Sequence, residues 1–393
     1  MPWKVTNTVS ERMNLIRRLE GGERMADVCR ELEISCKTGY KFLERYKRMG
    51  PRGLFDESRA PIRQARKTSE ASEGKILELK ERHPTWGARK LREILLRPEN
   101  GGQSATVNTI HRILARHGKV DCQKNRRTFP AFRSSKIAST TACNQIWPID
   151  FKGQFRVQNG ALCYPLTMTD HFSRVLLTCE GLEGTTSSPA QSALELAFRE
   201  YGLPEAVLSD NGCPFGAPKG LFGLSRISLW LMRLNVGVLR IEPGHPEQNG
   251  RHERMHLTLK KATTRPAAKT MLQQQERFDR FRAEFNEARP HEALGMKTPA
   301  SVWVPPTRQY PTTLPDPDYS ACDKVSLVYE GGLASLAKNR KFALGQAFAG
   351  QTIGLTEVED GLWRVTFMKY DLGMVDEQTR SFEAAEAFNL SPM

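Results

Sequence analysis

Three acidic residues sit in segments whose neighbours could aim them at one point: Asp150 in WPIDFKG, Asp210 in VLSDNG and Glu253 in PEQNGRHERMHLTLK. Converging carboxylates can hold a pair of hard divalent cations, which take oxygen ligands and act on phosphoryl groups through their charge. An all-oxygen set selects Mg²⁺, with Mn²⁺ as a substitute, over zinc. Read singly, each residue has a plainer account. Asp150 could be satisfied by backbone donors, Asp210 could be a turn aspartate, and Glu253 a solvated helical glutamate.

The elements around them decide more. Asp150 falls mid-strand among Trp147, Ile149 and Phe151, where a buried carboxylate needs a reason. Asp210 ends the apolar run AVLS and precedes Asn211–Gly212, at the kind of strand end where ligands collect in α/β sheets. A helix is expected from Pro246, with Met255, Leu259 and Ala262 on its core stripe at about 100° per residue. Asn249, Glu253, His256 and Lys260 then share another face. Asn249, Arg251, Arg254 and Lys260 are expected to position backbone phosphates, adding affinity without sequence choice.

Residues 145–305 carry strand-like runs (QIWPIDFKGQF, ALCYPLTMTD, RVLLTCEGL), then alternating helices and strands. Three consecutive strands followed by helix–strand alternation is the order of a ribonuclease-H-like α/β core flanked by helices. Ahead of it, residues 1–50 and 69–118 read as two all-α helix-turn-helix domains, joined by an Arg/Pro-rich linker over 51–68. In the first, Lys37, Lys41 and Arg45 lie on the outer face of the last helix; in the second, Arg112 does. A basic linker, 119–144, contains Arg126 and Arg127 and is expected to track phosphates. After a Pro/Asp-rich linker (306–323), residues 324–393 alternate apolar and polar with glycine at the turns, which predicts a small SH3-like β-barrel. The chain is therefore expected to be multidomain: helix-turn-helix, then α/β, then β-barrel.

The charge distribution agrees. The formal net charge is +14 over 393 residues. Residues 1–145 hold 31 Lys and Arg against 16 Asp and Glu, and the remainder 27 against 28, so the whole excess precedes the core. That favours a polyanionic partner for the helical region. Residues 351–393, with three basic and eight acidic residues, give direct DNA binding there no special support. The eight cysteines form no C-x-x-C pair, so no zinc knuckle or disulfide framework is signalled. Without a signal-like start or a long apolar run, a soluble cytoplasmic protein is expected.

One motif competes. His252-Glu253-Arg254-Met255-His256 matches H-E-x-x-H, which on a helix can bind zinc. A metalloprotease would need a third ligand, for which only His291 or Glu292 could be nominated, and it leaves the helix-turn-helix regions unexplained. His245, His252 and His256 are instead expected at the surface or the rim of the site. Replacing His252 or His256 by Ala is expected to spare much of the DNA chemistry.

WPIDFKG, SDNG and PEQNGRHERMHLTLK, with FNEARPHEALGMKTPASVW and the SRAP segment, resemble retroviral integrases and the bacterial insertion-sequence transposases of the DDE recombinase class. Carried over residue by residue, the resemblance implies a catalytic, metal-holding triad of Asp150, Asp210 and Glu253. Lys260 matches a position that contacts the element end. The resemblance also implies two Mg²⁺ ions, double-stranded DNA as both element end and target, and a dimer or larger assembly on DNA. It departs in two places. The interval from Asp210 to Glu253 is 43 positions, longer than in the retroviral enzymes, which leaves Glu247 as an alternative third ligand. The retroviral zinc-binding module is replaced by helix-turn-helix segments. Two other functions remain open on sequence: a helix-turn-helix regulator with a non-catalytic integrase-like assembly domain, and a nuclease that never joins strands.

Overall fold

The computed structural model describes residues 7–57, 68–100, 105–120, 140–242, 245–337 and 340–385. Arg126 and Arg127 lie outside the described residues. The chain divides into two compact units, Met1–Ser69 and Glu70–Met393.

The first unit packs α1 (Thr8–Glu20), α2 (Met25–Glu31) and α3 (Cys36–Met49) around Leu15, Ile16, Val28, Phe42 and Leu54. Ser35 caps α3, its hydroxyl accepting from the Thr38 amide at 3.2 Å. Gly39 lets α2 and α3 meet closely, since a Cβ there would stand 2.6 Å from Met25 Sδ and 2.7 Å from Cys29 Sγ. Lys37 and Lys41 are exposed. Arg45, expected among the outward cations, is corrected. Its side chain is only 15% exposed and is ion-paired with Glu57, so its charge is already spent within the unit.

The second unit begins with α4 (Glu70–Arg82), α5 (Ala88–Leu95) and α6 (Val107–Arg116). They close over Trp86, Leu91, Leu95, Ile110 and Leu114, leaving Arg112 exposed. Thr106 caps α6 through the Thr109 amide at 3.2 Å. This set joins the core through His83 Nδ1 and Glu284 Oε1 at 2.9 Å, and Arg89 and Glu292 at 2.9 Å.

The core sheet contains β1 (Ile146–Phe151), β2 (Phe155–Arg156), β3 (Leu162–Thr169), β4 (Leu176–Leu182), β5 (Ala206–Ser209) and β6 (Gly237–Arg240). Its order is β2-β3-β1-β5-β6, with β4 also paired to β3. β1, β3 and β4 run antiparallel, whereas β5 and β6 are parallel to β1 because α7 (Ser187–Tyr201) and α8 (Arg226–Arg233) cross over between them. Alternation along the strands builds two apolar layers. Trp147, Ile149, Leu166 and Met168 face Leu194 and Phe198 of α7. Cys163, Leu176 and Cys179 pack with Met255 and Leu259 of α9 (Gly250–Thr263) and Phe278 and Phe281 of α10 (Met271–Ala283). A short α11 (Pro299–Val302) follows.

The segment after α11 is strapped to the core rather than loose: Arg308 donates to the Leu234 carbonyl at 2.6 Å and to that of Pro204 at 3.1 Å. Beyond it lie β7 (Lys324–Leu327), β8 (Leu333–Ala337), β9 (Arg340–Ala343), β10 (Thr352–Glu359), β11 (Leu362–Phe367), β12 (Tyr370–Asp376) and β13 (Phe382–Ala384). Of the expected barrel, the described residues show an antiparallel sheet, β13-β12-β11-β10-β7, and a β8–β9 pair tied to the end of β7 by the Val328–Ala334 bridge. Phe342 of β9 stacks on Phe382 of β13 with centroids 6.0 Å apart, so the sheet curls. Among the described residues no hydrogen-bonded ladder joins these two strands. Phe348 and Leu355 share an apolar cluster with Trp230 and Leu231 of α8. No described helix is long and apolar enough to cross a membrane.

Candidate active site

β1 and β5 set the first two carboxylates. Trp147 pairs with Val207 and Pro148 with Leu208 in parallel register, so Asp150 and Asp210 fall at matching positions along adjacent chains. Asp150 points to the α9 side of the sheet, opposite Trp147 and Ile149. Its side chain is 29% exposed. Burial, then the charge of Asp210, and to a smaller extent that of Glu253, raise its pKa to about 7, against the pull of the Phe151 amide and Lys152.

Asp210 is exposed just past the end of β5, and its Oδ1 accepts from the Gly212 amide at 3.2 Å. Arg240, at the end of β6, braces this loop from beneath. Its guanidinium donates to Ser209 Oγ at 3.0 Å, the Asp210 carbonyl at 2.9 Å and the Phe215 carbonyl at 2.5 Å. Burial lowers its pKa, and the nearby Asp210 opposes that shift. Sequence reasoning did not single out Arg240; its position at the tip of the strand next to β5 was the available signal.

Glu253 is exposed on the first turns of α9, and Lys260 is exposed seven positions later on the same face. The helix is anchored by residues expected at the rim. His252 is 1% and His256 5% exposed, which corrects that expectation. Thr167 Oγ1 lies 2.8 Å from His252 Nε2 and 2.6 Å from His256 Nε2, and it donates to the Asp150 carbonyl at 3.1 Å. With the hydroxyl proton so placed, both imidazoles must donate from Nε2, and Thr169 Oγ1 can then donate to His252 Nδ1 at 2.9 Å. His256 Nδ1 comes within 3.9 Å of Asp150 Oδ2. Burial pushes His252 down to about 3, aided by His171, and His256 down to about 2, aided by His252 and Lys152. Neutral rings converging on a threonine hydroxyl are a structural clasp, and the H-E-x-x-H spacing serves that clasp.

The buried side of α9 is therefore His252, Met255, His256, Leu259 and Thr263, and Ala262, expected on the core stripe, is exposed. Asn249 is 5% exposed, which takes it off the open surface where a phosphate contact was expected. Arg251 and Arg254 are exposed and line a cleft that Glu253 and Lys260 do not. The side chain of Glu247 lies outside the described residues.

Asp150 thus feels the charges of Asp210 and Glu253, and the oxygens of all three suit a hard cation. Among the described residues no three His, Cys, Asp or Glu side chains stand close enough to grip an ion as they are.

Known proteins carry the same pieces. Residues 140–246 and 234–299 match two families each described as "Integrase core domain", and residues 38–114 match a "Homeodomain-like domain". The chain is 24% identical over 233 residues to the insertion element IS407 uncharacterized 31.7 kDa protein of Burkholderia multivorans, covering 59% of this chain and 80% of that one. It is 27% identical over 235 residues to the insertion element IS476 uncharacterized 39.2 kDa protein of Xanthomonas euvesicatoria, covering 59% of this chain and 64% of that one. Among solved structures, the HTLV-2 integrase catalytic core domain in complex with magnesium matches at 17% identity and a TM-score of 0.32, over 41% of this chain and 97% of that one. The simian T-cell lymphotropic virus intasome in complex with PP2A regulatory subunit B56 gamma matches at 20% identity and a TM-score of 0.37, over 75% and 96%. The chain is similar to insertion-element proteins and carries an integrase core domain behind a homeodomain-like helical region.

Proposed function

We propose that this protein is a DDE-type transposase that binds the terminal inverted repeats of a mobile element and cuts and joins DNA strands at a triad of Asp150, Asp210 and Glu253. The observation that carries the reading is the matched placement of Asp150 and Asp210 on adjacent parallel strands, with the Glu253 helix clasped to the neighbouring strand through Thr167. The core sheet is read as ribonuclease-H-like. The helical segments 1–50 and 69–118 are read as helix-turn-helix modules that seat the element ends, with Lys37, Lys41 and Arg112 exposed for the task.

Asp150, Asp210 and Glu253 would hold two Mg²⁺ ions, with Mn²⁺ as a substitute; when bound, these supply the positive charge that activates an attacking oxygen and steadies a leaving one. The chain's own residues do the positioning. Arg240 fixes the loop bearing Asp210, and the Thr167 clasp fixes the α9 turn bearing Glu253. Lys260, on the Glu253 face, offers a cation to a backbone phosphate near the reacting one. Joining two ends implies at least a homodimer on DNA, working in a bacterial cytoplasm.

The test is strand transfer with purified protein, labelled element ends, a supercoiled target and Mg²⁺. Joined products from the wild type and none from Asp150→Asn, with end binding retained by both, are expected. End binding without joining by the wild type would instead favour a helix-turn-helix regulator, and nicks without joints a nuclease.

A further inference from the structure

A cleft of about 990 Å³ lies between the second helical set and the core, walled by α5, the turn after β3, α9 and the segment around His291. α9 presents Arg251, Arg254 and Lys261 to it, on the face flanking the one that bears Glu253 and Lys260, neither of which lines the cleft. Lys90, Arg174 and Arg289 face in from the other walls. The two acidic residues lining the cleft are already engaged. Glu292 pairs with Arg89 at 2.9 Å, while Asp170 accepts from the Asn144 amide at 2.8 Å and from the Ser173 amide and hydroxyl at 2.7 and 2.6 Å.

The cations consequently repel one another. Burial, then Arg289, and further Arg254, push Lys90 down to about 8, with Glu292 alone opposing. Burial and Arg251 likewise lower Arg174 and take His171 down to about 4. Two polar atoms of residues that line the cleft, Arg174 Nε and His291 Nε2, are themselves buried and have no hydrogen-bond partner among the described residues. Glu292 offsets the charge of Lys90 and Glu284 that of Arg289 only in part, and clustered, partly buried cations are costly unless an anionic group completes the site.

We infer that this cleft is a second DNA-backbone site, gripping duplex phosphates between the second helical set and the core, on the face of α9 that flanks the one bearing Glu253. The inference rests on the reading that the protein's ligand is DNA, but on no part of the triad's chemistry. It makes α9 a divider with two working faces: Glu253 and Lys260 toward the reacting strand, Arg251, Arg254 and Lys261 toward a backbone held by the helical set. Arg251 and Arg254 thereby gain a phosphate role separate from that of Lys260.

The test uses the full chain in EDTA, so that no metal chemistry intervenes, and a fluorescent random-sequence duplex titrated across NaCl concentrations. The double variant Lys90→Met/Arg254→Ala is expected to bind on the order of 10-fold more weakly and to flatten the log–log salt slope by roughly 1.8, about 0.9 for each phosphate left unneutralised. Without DNA, the same variant is expected to melt at or above the wild-type temperature, because it relieves repulsion. An unchanged salt slope would overturn the inference. So would a variant that melts well below the wild type, since the cations would then be holding the fold. Inorganic phosphate that raises the wild-type melting temperature as far as the duplex does would assign the cleft to a small anion instead. Strand transfer is scored separately: a flattened slope from a protein that never joins strands would keep the cleft and remove the transposase reading.

Discussion

Asp150 and Asp210 occupy matching positions at the ends of two neighbouring parallel strands, because Pro148 of β1 stands opposite Leu208 of β5 and each carboxylate follows two residues later. Adjacent strands lie roughly 5 Å apart, so the sheet brings the turn that bears Asp210 close to Asp150. Their repulsion is part of why Asp150 resists ionisation up to about pH 7.

A pH dependence follows from that shift. The folded pKa of Asp150, about 7, exceeds its ordinary value of 3.8, so the folded state holds the proton more tightly than the unfolded state does. Metal-free protein should therefore lose stability as pH rises from about 4 to about 7, with the loss complete above that. Asp150→Asn, which never ionises, should be more stable than the wild type by up to about 4 kcal/mol at pH 8 in EDTA, with the gap closing toward pH 4. Urea melts at the two pH values measure it; a gap that widens on acidification would contradict the account.

The threonine clasp makes a different prediction. Thr167→Val would leave the inward Nε2 donors of His252 and His256 without an acceptor in a buried site. A loss of about 1–3 kcal/mol is expected. His256→Ala should be similarly destabilising, contrary to what a rim position would give. Zinc content should be nil in the wild type and both variants. Stoichiometric zinc removed by either substitution would revive the metalloprotease reading.

Arg240 offers a test of loop positioning. Replacing it with Met removes the donors that hold the Ser209, Asp210 and Phe215 oxygens. Strand transfer should fall on the order of 100-fold, while affinity for element ends changes less than about 2-fold. Equal losses in both readouts would mean that Arg240 merely supports the fold.

Close helix packing in the first unit should be equally exposing. Gly39→Ala would push a methyl group into Met25 and Cys29. A cost of about 1–3 kcal/mol is expected from overpacking, together with weaker end binding. Unchanged melting of a fragment spanning the three helices would contradict the tight α2–α3 packing.

Much of the architecture was legible in the chain. The alternation around Trp147 and Ile149 marked a strand with Asp150 on its other face, and AVLS before Asn211–Gly212 marked a strand ending at Asp210. The buried side of α9 was not legible. A polarity pattern counts His252 and His256 as outward, and what makes their burial tolerable is Thr167 and Thr169, more than eighty positions earlier. Ala262 suffered the reverse error, since a small apolar residue costs little when exposed. Arg45 read as a free cation because its partner, Glu57, follows in a segment that looked like linker. Alternation with glycine turns specified the C-terminal strands but could not specify closure, which depends on whether β9 and β13 hydrogen-bond or merely stack Phe342 on Phe382.

The central claim is that three side chains share metal, and counting bound Mn²⁺ by electron paramagnetic resonance, with duplex DNA present, tests it most directly. Two ions per chain in the wild type are expected, with weakened or abolished binding in each of Asp150→Asn, Asp210→Asn and Glu253→Gln. Unaltered Mn²⁺ binding in any one of these variants would contradict the shared site and remove that residue from it.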